Sequence, residues 1–79
     1  MTTFSVKYVG PAAEALRIAT ALADADGVEL VSSQRPETVR EGEVALDVTV
    51  EGEFDEVADA VARLRTRLPA GATIDIVTG

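Results

Sequence analysis

Residues 43–52, EVALDVTVEG, carry the strongest strand signal in the chain. The even-numbered positions from 44 to 50 are all Val or Leu, and they alternate with alanine or polar residues. Strict alternation predicts a β-strand with one face on a core and the other face uncovered. Gly52 ends the run, so the strand is predicted to stop there.

A helix is predicted on each side of this strand in the sequence. Residues 54–68 have an apolar stripe at helical spacing, with acidic residues near the start and arginines near the end, which complements the helix dipole. Residues 12–25 form a second stripe, which includes Leu16. Shorter alternating runs predict further strands at 4–9, 28–31 and 73–77. Residues 33–42 have no clear period, and we interpret them as a loop with strand extensions at each end.

These elements predict one α+β domain spanning residues 1–79. Two consecutive β-α-β units give the order β-α-β-β-α-β, which is typical of a ferredoxin-like plait. We therefore expect an antiparallel four-stranded sheet of order 4-1-3-2, with both helices on one face.

Composition excludes several functions. The 79 residues include 7 basic and 14 acidic side chains, for a net charge of −7, and contain no cysteine and no histidine. This removes thiolate or histidine metal sites and nucleophilic triads. The acidic balance and an aromatic-free open sheet face argue against nucleic-acid binding, and the acidity also argues against anionic membranes. We expect no metal, no cofactor and no catalytic residue.

Lys7 is the first candidate site residue. In the predicted sheet it lies on a central strand, with Asp47 and Asp75 on the neighbouring strands and on the same face. These three residues form an open-face ion cluster. Two interpretations stay open: a charged ligand pocket, or cross-strand ion pairing on a solvated face. A small carboxylate-dependent enzyme using the two aspartates is the least favoured function.

The segment 33–42 is long for a hairpin connection. It carries Arg35, Pro36 and Arg40. One interpretation is a flexible loop tip, and the other is a partner-contact or gating loop.

The chain also resembles ACT-type regulatory domains. Gly10-Pro11 opens a helix that continues as ALRIATAL at 15–22, followed by DGVELVS at 26–32, which is similar to the first half of those domains. Residues 42–46, GEVAL, and the helix after them are similar to the second half. The resemblance implies a small-ligand sensor with a binding site at Gly10, Pro11 and Ala12.

A fainter similarity is to small stand-alone accessory components encoded beside effector enzymes in actinobacterial conflict systems. It rests on the strand–helix–strand order and on the arginine-rich helix followed by a Val/Ile strand. From the absence of catalytic residue types and the small size of the domain we expect a non-catalytic accessory or protein-interaction module. Because no targeting segment is visible, we expect it in the cytoplasm. Its partner is predicted to be a protein, or a second copy in a homodimer, docked at a sheet edge.

Overall fold

The computed structural model describes residues 2–77 of the chain. Within residues 2–77, two helices and five strands follow one another in the order β-α-β-β-β-α-β. Their bounds are β1 (Thr2–Pro11), α1 (Ala12–Asp24), β2 (Val28–Ser33), β3 (Glu37–Arg40), β4 (Glu43–Gly52), α2 (Phe54–Arg65) and β5 (Thr73–Val77).

The alternating stretch at residues 43–52 lies at the centre of an antiparallel sheet. β4 pairs with β1 along its whole length, from Thr2 opposite Gly52 to Pro11 opposite Glu43. β5 pairs with the other side of β1. The sheet order is β2-β4-β1-β5, and β3 also pairs with β4.

The predicted ferredoxin-like plait is wrong, because the segment interpreted as a loop contains a strand. Residues 37–40 form β3, which pairs antiparallel with β4 and makes the sheet five-stranded. The order β-α-β-β-β-α-β therefore replaces the expected β-α-β-β-α-β. β2 and β3 run in the same direction along β4, interrupted at 34–36, and the amide of Gln34 still donates to the carbonyl of Asp47 at 2.9 Å.

One face of the sheet and both helices enclose a single core. Alternation places the even-numbered residues of β1 and β4 on this face, as the sequence predicts. The largest fully buried side chains are Tyr8, Leu22, Ile74, Val6, Val48, Val50 and Val57. The opposite face carries the odd-numbered residues of β1 and β4, which are half-buried or exposed.

The chain passes very close to itself where α1 is followed by β2. Gly27 has a φ of 78°, in the left-handed region that favours glycine, and its neighbour Val28 pairs with Gly52. A methyl group on Gly52 would collide with the carbonyl oxygen of Gly27. Glycine at 52 therefore permits a backbone contact that helps to position the start of β2.

Candidate interaction edge

The structure places Lys7, Asp47 and Asp75 in one row across the open sheet face. Lys7 lies opposite Asp47 on one side and opposite Asp75 on the other. All three are exposed. Within residues 2–77, however, the ion pair at Asp75 is with Arg65, and none within 4.0 Å joins either aspartate to Lys7.

Arg65 binds the outermost strand on one side of the sheet. Its Nη2 donates to the carbonyl oxygen of Ile74 and to Oδ1 of Asp75, both at 2.9 Å. β5 lies at the end of the strand order, so its outer side is a sheet edge. We interpret the arginine as partly closing this edge, because it competes with an incoming strand for the Ile74 carbonyl. This role is not predictable from the sequence, because the spacing of ten residues between Arg65 and Asp75 follows no local pattern.

The opposite edge of the sheet is formed by β2 and β3, residues 28–40, which we call the β2–β3 edge. Every residue from 29 to 42 is exposed. Leu30, Val31 and Val39 are apolar among them, and Val31 is 55% exposed. Within residues 2–77, β2 and β3 pair with β4 alone, so their outer side is unpaired. Exposed main-chain groups beside apolar side chains make this edge the candidate interaction site.

Two irregularities limit uncontrolled pairing at this edge. The register shifts between Leu30 and Ser32, and again between Thr38 and Arg40. Pro36 lies between the two strands and has no amide hydrogen to donate. Bulges and proline are devices by which edge strands avoid aggregation. The edge is therefore open in two short stretches.

Leu16 of α1 is a further exposed apolar side chain, on the side of its helix away from α2. It is 77% exposed, although the sequence pattern assigned it to the buried stripe. Ala21 lies on the side of α1 that faces α2, and helical geometry turns Leu16 about 140° from it. α1 contacts β2, β4 and β1, whereas α2 contacts mainly β5, so we infer that the side of α1 away from α2 is the side nearer the β2–β3 edge.

The start of α1 also sets the position of Leu16 along the direction of the strands. The amide of Ala12 donates to the carbonyl of Gly42 at 2.9 Å, which fixes the start of α1 at the β3–β4 hairpin. Leu16 is one turn further along the helix, near the level of β3. The helix therefore adds an apolar side chain to the core-face side of the β2–β3 edge.

On the open-face side, the edge carries a pair of like charges. Glu29 lies directly opposite Glu51 in the ladder. Together with Gly27 and Val28 they line a shallow depression of about 240 Å³. Directly opposed like charges destabilise a sheet. Among the described residues, no Lys or Arg forms an ion pair within 4.0 Å of either glutamate.

The β2–β3 edge includes Arg35, Pro36 and Arg40. These three residues do not form one cluster with a shared partner. Arg35 and Pro36 are exposed in the interruption between β2 and β3. Arg40 ends β3, where its Nε lies 3.1 Å from Oε1 of Glu43. The true hairpin connection is short, because Arg40 already pairs with Glu43.

Gly10, Pro11 and Ala12 lie where β1 passes into α1. Gly10 is buried, and a methyl group there would lie 2.7 Å from both the Ala72 side chain and the Tyr8 hydroxyl. That hydroxyl donates to the carbonyl of Pro11 at 3.0 Å. Burial, with the carboxylates of Glu14 and Glu43, raises the pKa of Tyr8 above its ordinary value. Close packing therefore fills the space beside Gly10.

A larger groove lies elsewhere, between the end of α1 and α2. Its volume is about 770 Å³, and Asp24, Asp26 and Asp59 line it together with Arg63 and Arg67. Arg63 is paired with Asp59 at 2.9 Å. No group of three or more acidic side chains within residues 2–77 is placed to hold a metal ion. The groove is thus a polar helix–helix surface with its charges partly paired.

The sequence matches no protein-family model, and a search of curated proteins finds no significant match. Across residues 2–77, neither helix has the length and apolar character needed to cross a membrane.

Proposed function

We propose that this chain is a non-catalytic interaction module that takes an extended segment of a protein partner onto its β2–β3 edge by strand addition. The main support for this proposal is the contrast between the two edges of the sheet. Arg65 binds the outer strand β5, whereas every residue from 29 to 42 is exposed along the other edge. In strand addition, main-chain hydrogen bonds supply affinity and alternate side chains supply specificity.

The chemistry of the chain supports a role without catalysis. It contains neither histidine nor cysteine. The two aspartates that an enzyme would use, Asp47 and Asp75, are exposed on either side of Lys7 and do not line the large groove. Sensing of a small ligand near Gly10 stays a prediction from the sequence pattern.

The proposed occupant is a segment of another protein. Two copies of this chain would bring together two net charges of −7, which disfavours pairing of one edge with itself. The sequence resemblance implies a stand-alone accessory component encoded beside an effector enzyme. In that role the module would hold its partner through the β2–β3 edge.

Two matched valines test the edge directly. Val31 lies on the β2–β3 edge and Val77 on β5, and they are 55% and 47% exposed. Lysine on an edge strand discourages further pairing. We expect Val31→Lys to weaken partner binding by about tenfold, or about 1.4 kcal/mol, while Val77→Lys leaves it unchanged.

The measurement is affinity capture with the full chain, followed by hydrogen exchange on the recovered complex. Slowed exchange across 28–40, lost in Val31→Lys alone, supports the proposal. The proposal is contradicted if partner binding falls equally in both variants, or if the partner slows hydrogen exchange only in the helices. Sedimentation velocity of the purified chain tests whether the strand bound at the edge comes from a second copy or from another protein. A dimer abolished by Val31→Lys would support the edge but overturn the heterologous partner, and a monomer for which capture recovers no partner would overturn both.

A further inference from the structure

The two sides of the β2–β3 edge differ in chemistry. On the core-face side, Leu30 lies opposite buried Val50 and is 37% exposed, and exposed Leu16 lies on the side of α1 away from α2. On the open-face side, the opposed pair Glu29 and Glu51 reaches the edge. A strand added here would present its alternate side chains to these two unlike surfaces.

Among the strand residues between 2 and 77, none with a positive charge lies directly beside Glu29 or Glu51 in the ladder. Going inward along this row, the residue of β1 opposite Glu51 is Thr3, which is uncharged. Going outward, the row ends at the free edge. A cation on an added strand would therefore occupy the next position of the row, beside two carboxylates, where opposite charges stabilise a cross-strand contact.

We propose that the segment bound at this edge alternates apolar residues with lysine or arginine. Its apolar side chains pack toward Leu16 and Leu30, and its basic side chains lie over Glu29 and Glu51. This inference rests on the proposed strand addition and adds the chemical class of the partner. Charge complementarity favours this partner over a second copy, whose edge would bring another Glu29.

The probes are three synthetic seven-residue peptides. One alternates lysine and valine, the second alternates glutamate and valine, and the third contains the residues of the first in two blocks. Each is titrated into the ¹⁵N-labelled full chain, and amide shifts give both the affinity and the location. We expect the lysine–valine peptide to shift the amides of 28–40 and to bind about tenfold more tightly than either other peptide.

Two variants test which negative charge the lysine–valine peptide contacts. Glu29→Gln is expected to weaken the lysine–valine peptide about two- to fivefold, the size of an exposed ion pair. Asp59→Asn removes one charge from α2, in the groove away from the edge, and is expected to change nothing. The Glu29 effect should shrink as salt rises from about 0.1 M to about 1 M, because the screening length falls from about 10 Å to about 3 Å.

The outcomes separate this inference from the proposed function. If the lysine and glutamate peptides shift the edge amides equally, strand addition stands and the basic partner is overturned. If no peptide shifts residues 28–40, both proposals fail. An equal loss in Glu29→Gln and Asp59→Asn, or shifts spread over every acidic surface, would reduce the binding to general attraction and overturn the inference.

Discussion

Arg65 and Asp75, ten residues apart, are joined by a contact of 2.9 Å between Nη2 and Oδ1. The same nitrogen donates to the carbonyl of Ile74, so the arginine binds both the main chain and a side chain of β5. The end of α2 is thereby attached to the outermost strand. This contact distinguishes the β5 edge from the β2–β3 edge.

Removing this arginine should open the β5 edge. We expect Arg65→Ala to cost about 1 kcal/mol of stability, the value of one exposed ion pair and one hydrogen bond, and to promote concentration-dependent self-association. The matched control is Arg63→Ala, which breaks an exposed pair with Asp59 without touching a strand. Urea unfolding and sedimentation velocity measure the two effects. Equal self-association in both variants would show that Arg65 does not protect the edge.

Two leucines of α1 should separate stability from binding. Leu22 is fully buried, whereas Leu16 is 77% exposed. Leu22→Ala should cost about 2–5 kcal/mol because it leaves a cavity. Leu16→Ala should change stability by less than about 0.5 kcal/mol and yet weaken binding at the β2–β3 edge. Thermal unfolding and partner affinity test this, and a Leu16 variant with full affinity would remove α1 from the proposed interface.

Substitution by alanine should destabilise the protein more at Gly52 than at Gly42. Gly52 is buried and touches the main chain of Gly27, so Gly52→Ala should cost about 3 kcal/mol because the backbone must shift. Gly42 has a φ of 79° but open space around it, so Gly42→Ala should cost only about 1–2 kcal/mol from backbone strain. Urea denaturation compares the two. If Gly42→Ala cost more stability than Gly52→Ala, the contact between Gly52 and the main chain of Gly27 would be less close than the structure indicates.

Tyr8 predicts a loss of stability at high pH. Its folded-state pKa is raised by burial and by Glu14 and Glu43. The native state therefore holds the proton more tightly than the unfolded state, so this stability is complete below the unfolded pKa of about 10 and is lost as pH rises through the folded value. It is the only tyrosine, so its ultraviolet absorbance reports its titration directly.

The matched variant for this residue is Tyr8→Phe. It removes the 3.0 Å hydrogen bond to the Pro11 carbonyl and should cost about 1 kcal/mol at neutral pH. It should also lack the part of the alkaline loss that is due to Tyr8. A tyrosine midpoint at its ordinary value in the folded protein would contradict the burial of this hydroxyl.

Local pattern was enough to predict most elements, but not how the edges differ. Alternation around Val48 and the stripe around Val57 predicted their elements because burial of one face imposes a period. β3 was missed because residues 37–40 are all exposed, so no apolar alternation marks them. Leu16 was wrongly assigned to the buried stripe, and the contact of Arg65 with β5 was not predicted, for a related reason. Their positions depend on which strand lies beside which helix, a relationship between distant parts of the chain that periodicity does not contain.

Replacing Glu29 should improve stability while weakening the proposed binding. Glu29→Gln removes one of two like charges that face each other in the ladder, so we expect a gain of about 0.2–1 kcal/mol at low salt. Glu41→Gln, in the exposed β3–β4 turn, is the control for removing a negative charge from an acidic protein. Urea unfolding at about 0.05 M and about 1 M salt is the measurement, because screening should erase the gain. If Glu29→Gln is no more stable than Glu41→Gln, the two glutamates do not repel each other across the ladder. A real gain in stability, combined with weaker binding of a lysine-bearing strand, would indicate that repulsion is retained at this edge because a basic partner relieves it.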